Sequence, residues 1–242
     1  MKPVLQRRIP YDISTPAPLP GVRPLGCEPI LLRDEAFGGQ MQERDRLLRD
    51  HRDLVLQMSE QARASAEELL GFVLSSAYPE QSGAESVLRP DGVKVRIDWS
   101  DPLATVGRLT QQDFCILQKQ GDEHVLTGAV LCFPASWTLS EKFLKPMVRI
   151  HRPVATYDEG VARRVQRLFD GVQVGKTLWR FNILSYAEPN LFSPRSEANK
   201  RTDQKAPDNA YLRSERQVIF RLPQTGDPVF CIHTYIVPKE CE

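Results

Sequence analysis

The residues best suited to chemistry in this chain are its histidines, and one of the four stands apart. His151 ends an apolar run at residues 146–150, lies between Arg149 and Arg152, and is followed by Pro153, which ends regular strand pairing. A neutral imidazole at a strand end, with guanidinium groups close by, suits a haem pocket, where the nitrogen binds iron and the arginines face the propionates. The alternative is a hydrogen-bonded structural histidine.

The other histidines and the thiols favour structural roles. His51 belongs to a charged helix turn and His124 to a hairpin connection, so both are expected to be solvated. Cys231 and His233 share one face of a strand, but two ligands are too few for a zinc site, and core packing is the simpler interpretation. The apolar neighbours of Cys132 raise its thiol pKa and disfavour the reactive thiolate.

A glycine-rich segment at residues 171–177, Gly-Val-Gln-Val-Gly-Lys-Thr, has the letters of a phosphate-binding loop. Its first glycine is one residue too close, and the segment leads into a strand, so no helix N-terminus is aimed at a phosphate. We therefore exclude this segment as a nucleotide site.

Composition limits the classes of protein that fit. The chain has 242 residues, with Lys+Arg 32 against Asp+Glu 31 and a formal net charge of +1. This balance gives no overall field for nucleic acid or an anionic membrane. No leader-like apolar segment opens the chain, no stretch approaches the roughly 18 apolar residues of a spanning helix, and the scattered cysteines suit a reducing compartment. We expect a cytoplasmic protein with neither membrane nor nucleic-acid partners.

The elements that must position these residues change character along the chain. Residues 1–33 are rich in proline and predict an extended arm, followed by a single domain over residues 34–242. From about residue 39 to 76, apolar residues recur at three- and four-residue steps, which predicts one or two long amphipathic helices within 34–78. Residues 75–92 are expected to form loop and turn.

A sheet is predicted over residues 93–238, where the apolar period changes to two. Helices are expected to interrupt it at 139–144 and 158–169, and the polar segment 187–210 predicts a long mobile loop. The predicted strands are 93–99, 114–118, 125–133, 147–151, 178–186, 217–222 and 229–237. Hairpin connections and the lack of regular strand–helix alternation predict an α+β fold with a mainly antiparallel sheet and an N-terminal helical layer.

Eight short segments occur in an order that is more specific than any one of them. They are 18–25 (PLPGVRPL), 40–48 (QMQERDRLL), 111–117 (QQDFCIL), 131–137 (LCFPASW), 150–154 (IHRPV), 180–182 (RFN), 212–217 (LRSERQ) and 233–238 (HTYIVP). Together they resemble the haem-dependent oxidative N-demethylase family, α-subunit type, over nearly the whole chain from about residue 10.

The resemblance implies a PAS-like antiparallel sheet that encloses haem b. It also implies oxidative removal of a methyl group from a small secondary amine such as dimethylamine, with release of formaldehyde. The electrons would come from an NADPH–flavin–iron–sulfur reductase, and this chain has no recognisable segment of that kind. His151 would be the proximal ligand, with Arg149, Arg152 and Arg213 as candidate cofactor-binding residues.

Three further residues are candidates for the distal side of the haem. Arg213 and Glu215 share one strand face, where Glu215 could hold a protonated amine or relay protons to iron-bound oxygen; on the outer face it would be an ordinary cross-strand charge. Asn182 could offer its amide to substrate or oxygen, or make a strand-edge hydrogen bond. Tyr157 could donate a hydroxyl, or fasten the next helix.

Two other functions remain open at this stage. The chain could be a haem-binding sensor or carrier module that signals through its N-terminal helices without turning over a substrate. It could also be a relative that kept the fold and lost haem, with residues 187–210 as a protein-interaction segment.

Overall fold

A seven-stranded antiparallel sheet organises the chain in a computed structural model, which describes residues 3–14, 19–81, 83–151, 159–199 and 209–239, without the side chains of residues 151 and 159. Its strands are β1 (Arg23–Pro24), β2 (Leu56–Met58), β5 (Asp113–Gln120), β6 (Glu123–Val130), β7 (Leu178–Tyr186), β8 (Tyr211–Arg221) and β9 (Pro228–Pro238). A separate hairpin pairs β3 (Ser86–Leu88) with β4 (Lys94–Arg96). The helices are α1 (Phe37–Asp50), α2 (Arg52–Val55), α3 (Arg63–Ala77), α4 (Pro102–Leu109), α5 (Leu139–Lys142), α6 (Met147–His151) and α7 (Glu159–Gly171).

The strand order is β1-β7-β8-β9-β5-β6-β2, so the long strands β7, β8 and β9 lie side by side. Both edges of the sheet are formed by very short strands from the N-terminal part of the chain, β1 against β7 and β2 against β6. A very short edge strand itself offers little backbone for another chain to pair with, and β1 covers only Leu178 and Trp179 of β7.

The two faces of the sheet carry different layers, because successive side chains of a strand point to opposite sides. One face, here called the helical face, packs against α1, α3 and α4; its buried residues include Leu69, Leu103 and Phe220. The other, here called the site face, carries a smaller apolar cluster that includes Cys115 and Ile219 and is covered by α5, α6 and α7.

The predicted α+β class is confirmed, as are most of the predicted strands. β7 has the predicted bounds, β9 contains the predicted strand 229–237, and β8 begins six residues before the predicted strand 217–222 and ends one residue before its end. Helices α5 and α7 lie where interruptions were expected. The division into an arm (1–33) and a single domain (34–242) stays a prediction, although Gln6 and Leu25 of the arm are buried.

The strand predicted at residues 147–151 is wrong, because Met147–His151 is the helix α6. Its first turn closes with the Ile150 N–H donating to the Pro146 carbonyl at 3.0 Å. Met147 and Ile150, three residues apart, pack on the apolar cluster of the site face, whereas Val148 is exposed. That spacing fits a helical turn and does not fit strand alternation.

The N-terminal helical pattern is interrupted rather than continuous. α1 and α3 are the two expected long helices, but residues Leu56–Met58 between them form β2, which pairs with β6. The segment expected as loop at 75–92 contains β3, and its partner β4 is shorter than the predicted strand, leaving Trp99 half exposed. Helix α4 was not predicted.

A close approach between α4 and the sheet gives a first testable expectation. A Cβ at Gly107 would lie 2.7 Å from Val130 Cγ2 and 3.1 Å from Leu48 Cδ1, whereas one at Gly71 in α3 would meet nothing within 4 Å. Gly107→Ala is therefore expected to lower the free energy of unfolding by about 1–3 kcal/mol through overpacking. Gly71→Ala, the matched control, should raise it by about 0.5–1 kcal/mol. Urea unfolding measures both, and equal effects of the two changes would contradict this packing.

The arm is tied to the sheet through the carboxylate of Asp34. His233 Nε2 donates to its Oδ2 at 2.9 Å, Gln6 Nε2 to the same oxygen at 3.0 Å, and Gln111 Nε2 to its Oδ1 at 2.7 Å. Burial opposes the charged form of Asp34, but the hydrogen bonds from His233, Gln111 and Gln6 outweigh it and lower the pKa of Asp34 to about 2. The ionised carboxylate therefore stabilises the folded state.

The hydrogen-bonded carboxylate of Asp34 predicts that stability depends on pH in the acid range. The pKa of Asp34 is depressed in the folded protein, so its contribution of about 1–2 kcal/mol is present above pH 4 and is lost as the pH falls from 4 towards 2. We expect Asp34→Asn to be less stable at pH 6 and to flatten the profile between pH 4 and 2 in urea unfolding. The exposed control Asp53→Asn should keep the slope of the unchanged protein, and an unchanged slope in Asp34→Asn would count against this role.

Candidate functional site

Polar side chains of three neighbouring strands meet on the site face. In the register of the sheet, Asn182 of β7 pairs with Glu215 of β8, which pairs with Thr234 of β9. Two residues further along these strands, Arg180 of β7 pairs with Gln217 of β8. Because alternate residues of β7 and β8 share a face, Arg180 and Asn182 lie opposite Gln217 and Glu215.

The centre of this cluster is the buried carboxylate of Glu215, which is 5% exposed. Its Oε2 accepts hydrogen bonds from Asn182 Nδ2 at 2.8 Å and from Gln217 Nε2 at 3.0 Å. Asn182 Oδ1 in turn accepts the backbone N–H of Glu215 at 3.0 Å. These bonds fix the carboxylate so that Oε1 points away from both amides.

Oε1 of Glu215 lies 3.7 Å from Nη2 of Arg213. At this distance the two side chains form an ion pair but no hydrogen bond. The Arg213 guanidinium is 1% exposed and donates to the carbonyls of Phe133 (2.6 Å), Leu191 (3.0 Å) and Asn190 (3.2 Å). Arg213 thus joins two connecting segments to the sheet and leaves Glu215 Oε1 with no hydrogen bond from the described residues.

Three donor atoms of the site face are buried without a hydrogen-bond partner among the described residues: Arg180 Nε, Arg213 Nε and Thr234 Oγ1. Among the described residues, the Arg180 side chain makes one hydrogen bond, from Nη1 to Gln217 Oε1 at 3.0 Å. Burial lowers the pKa of Arg180, and the charge of Glu215 only partly offsets that effect. Buried polar groups are rarely left unpaired in folded proteins, so these atoms have hydrogen-bonding capacity that water or a ligand could use.

An apolar wall stands beside this polar cluster. Val161, Val165 and Phe169, on one side of α7, pack with Cys115 and Ile219 of the sheet. Helix α6, whose backbone ends at His151, contributes Met147 and Ile150 to the same cluster. His151 is therefore on an element that packs against the site face, although its side chain lies outside the described residues.

The predicted site residues do not all lie in this cluster. Glu215, Asn182 and Arg213 are brought together. Arg152 and Tyr157 lie outside the described residues. Arg149 donates through both Nη atoms to Glu197 at 2.9 Å, and this pair, with Lys142, lowers the pKa of Glu197 to about 2. Glu197 belongs to the predicted 187–210 loop, so the described part of that loop, residues 187–199, is tied to α5 and α6.

Sequence reasoning missed Arg180 and Thr234 as members of the site. The alternation of Trp179, Arg180, Phe181 and Asn182 already indicated that Arg180 shares a face with Asn182. Thr234 carried no such signal, because a threonine within an apolar strand is an ordinary core residue. Its position opposite Glu215 depends on the β8–β9 register.

The remaining reactive groups have structural roles. Both ring nitrogens of His233 make hydrogen bonds, Nε2 to Asp34 and Nδ1 to Gln112 Nε2 at 2.8 Å. This arrangement agrees with the structural role predicted for His233. Burial raises the pKa of the Cys132 thiol to about 12, which confirms that it is not a ready nucleophile. The expectation that His124 is solvated is wrong: it is buried beside Phe169, and its Nδ1 pairs with Gln166 Nε2 at 2.6 Å.

A polar cleft of about 500 Å³ opens next to His124, at the far end of α7. Its charged residues already have partners: Lys119 pairs with Asp170 at 2.7 Å, and Arg221 donates to backbone carbonyls at the end of α7. This cleft therefore offers a ligand little unmet binding capacity.

The fold and the cluster define an α+β protein with a hydrogen-bonded carboxylate, flanked by guanidinium groups, on a sheet face under three helices. The chain belongs to the haem-dependent oxidative N-demethylase, alpha subunit-like family, whose model matches residues 21–241. The description of this family indicates haem dependence. In the described part, none of the helices combines the length and apolar character needed to cross a bilayer.

Proposed function

We propose that this protein catalyses haem-dependent oxidative N-demethylation of a small secondary amine of the dimethylamine type, with release of formaldehyde. The observation that carries the proposal is the state of Glu215: a buried carboxylate with one oxygen held by two amides and the other without a hydrogen bond among the described residues. A protonated amine is a small cation with N–H donors, and it matches that oxygen in both charge and geometry.

The residues present fit a haem group in charge and polarity. The described residues hold no group of three or more His, Cys, Asp or Glu side chains arranged for a metal ion, but a haem iron needs as little as one axial imidazole. His151 would supply it. The buried, unpartnered Arg213 Nε suits an anionic group, and the apolar cluster under α6 and α7 suits a macrocycle. Arg149 and Arg152 stay proposals for the propionates.

Bound haem would supply the oxygen chemistry: with O2, two electrons and two protons, the N-methyl group is oxidised, leaving the demethylated amine, formaldehyde and water. The chain itself binds and orients the amine. Glu215 Oε1 accepts an N–H of the substrate, which places the methyl group in a fixed direction. Asn182 and Gln217 keep the carboxylate from rotating, and the helices over the site face exclude water. Tyr157 is proposed as a further hydroxyl donor.

The electrons are proposed to come from a separate reductase of the NADPH–flavin–iron–sulfur kind, as the family resemblance implies. The rival function, a haem-binding sensor or carrier, shares the haem site and differs only in turnover.

The test is reconstitution of the purified protein with haem, followed by an assay for formaldehyde with dimethylamine and a reductase. We expect a Soret band, and formaldehyde that depends on both amine and reductant. Tetramethylammonium, which has no N–H to donate to Glu215, is the matched control and should give none. Absence of a Soret band would refute the proposal, whereas haem binding without formaldehyde would favour the sensor.

A further inference from the structure

We propose that the site face contains a subsite for a carboxylate group, formed by the Nε–Nη2 edge of Arg180 beside Glu215. The subsite itself rests on the contacts of Arg180, while the identity of its ligand as haem or substrate rests on the proposed function.

The first argument is a count of charges. The cluster contains two guanidinium groups, Arg180 and Arg213, and one carboxylate, Glu215. Among the described residues no second carboxylate contacts either guanidinium, because Arg213 pairs only with Glu215 and Arg180 has no ion pair. Arg180 is only partly exposed to solvent, and a cation that loses hydration is unfavourable without a counter-ion, so among the described residues this face is one negative charge short.

The second argument is the geometry of Arg180. Nη1 is occupied by Gln217 Oε1, which leaves Nε and Nη2 with no hydrogen bond among the described residues. These two atoms form the edge of a guanidinium that binds both oxygens of a carboxylate at once. Arg213 cannot play the same part, since its Nη2 already donates to Phe133 and its Nη1 to two other carbonyls.

The third argument is position. Arg180 binds Gln217, and Gln217 binds the Oε2 of Glu215, so the free guanidinium edge and the free carboxylate oxygen belong to one hydrogen-bonded chain. A ligand with a carboxylate at Arg180 and an ammonium at Glu215 would satisfy both. An N-methylated amino acid has these two groups, and a haem propionate offers the carboxylate alone.

The experiment measures ratios of affinity, so that a general loss of stability cancels. The first arm titrates haem and haem dimethyl ester, whose propionates are esterified, into haem-free protein and follows the Soret band. The second arm compares N-methylglycine with dimethylammonium by calorimetry, with and without haem. The proteins are the unchanged chain, Arg180→Gln, Arg180→Lys, and Arg96→Gln as an exposed control outside the sheet.

If the ligand is a propionate, the unchanged protein should prefer haem over its diester by about tenfold or more, and Arg180→Gln should lose the preference. If it is the substrate carboxylate, N-methylglycine should bind about tenfold or more tightly than dimethylammonium, again only with Arg180 present. Arg180→Lys keeps the positive charge but lacks the two parallel N–H donors of a guanidinium. Its affinity ratio should lie between those of the unchanged protein and Arg180→Gln. Arg96→Gln should match the unchanged protein.

Equal ratios in the unchanged protein and in Arg180→Gln, in both arms, would overturn the subsite. A protein that takes up no haem would refute the proposed function but not the subsite, because calorimetry on the haem-free chain still decides whether Arg180 selects a carboxylate.

Discussion

Glu215→Gln is expected to lower the rate of formaldehyde release from dimethylamine by about 10- to 100-fold. The change is nearly isosteric but removes the negative charge that is proposed to bind the protonated amine, and charged hydrogen bonds of this kind contribute about 1.5–3 kcal/mol. The two amide donors also determine the orientation of the new side-chain amide. Because Asn182 and Gln217 both donate to Oε2, the carbonyl oxygen takes that place and the NH2 group points where Oε1 was.

An NH2 group in that position repels a cationic substrate instead of accepting its N–H. The assay measures formaldehyde against amine concentration, and haem content is read from the Soret band of the same samples. Glu80→Gln, at an exposed position in the N-terminal half, is the matched control and should keep full activity. Unchanged turnover in Glu215→Gln with normal haem content would show that another group binds the amine.

His151→Ala is expected to abolish stable haem binding. Loss of an axial imidazole removes the protein's bond to iron, and the remaining contacts of an apolar pocket hold the group only weakly. Reconstitution followed by gel filtration should give a Soret band in the unchanged protein and little or none in His151→Ala. Free imidazole should restore part of the band, because it can occupy the emptied position.

His51→Ala changes an exposed histidine at the end of α1 and serves as the control for loss of an imidazole in general. A normal spectrum in His151→Ala would mean that another residue binds the iron, while the family assignment would stand.

The long strands and one side of the site were predictable from the sequence for a simple physical reason. A strand period of two needs only local sequence, so the bounds of β7 and the shared face of Arg213 and Glu215 followed from alternation. The hydrogen-bond partners of these residues could not be predicted from alternation. Asn182 meets Glu215 only through the register of β7 and β8, whose connection spans residues 187–210 and sets no register by itself.

The elements that were mistaken are the short ones. Five residues at 147–151 hold little more than one helical turn, too few for a helical period to be told from alternation. The three-residue strand β2 exists because β6 lies beside it, and no local pattern reveals such a neighbour. The partial burial of Arg180 likewise depends on what covers β7, which is tertiary information.

The two short edge strands have a consequence for how the chain folds. β1 and β2 lie N-terminal to every other strand of the large sheet, yet they are its outermost members. During synthesis they emerge first and stay without partners until β6, and later β7, has followed. Pairing over such sequence distances is slow, and an uncovered β6 or β7 edge offers backbone groups to a second copy of the chain. Residues made early thus form both outer strands of the sheet, and each depends on a partner strand that is made later.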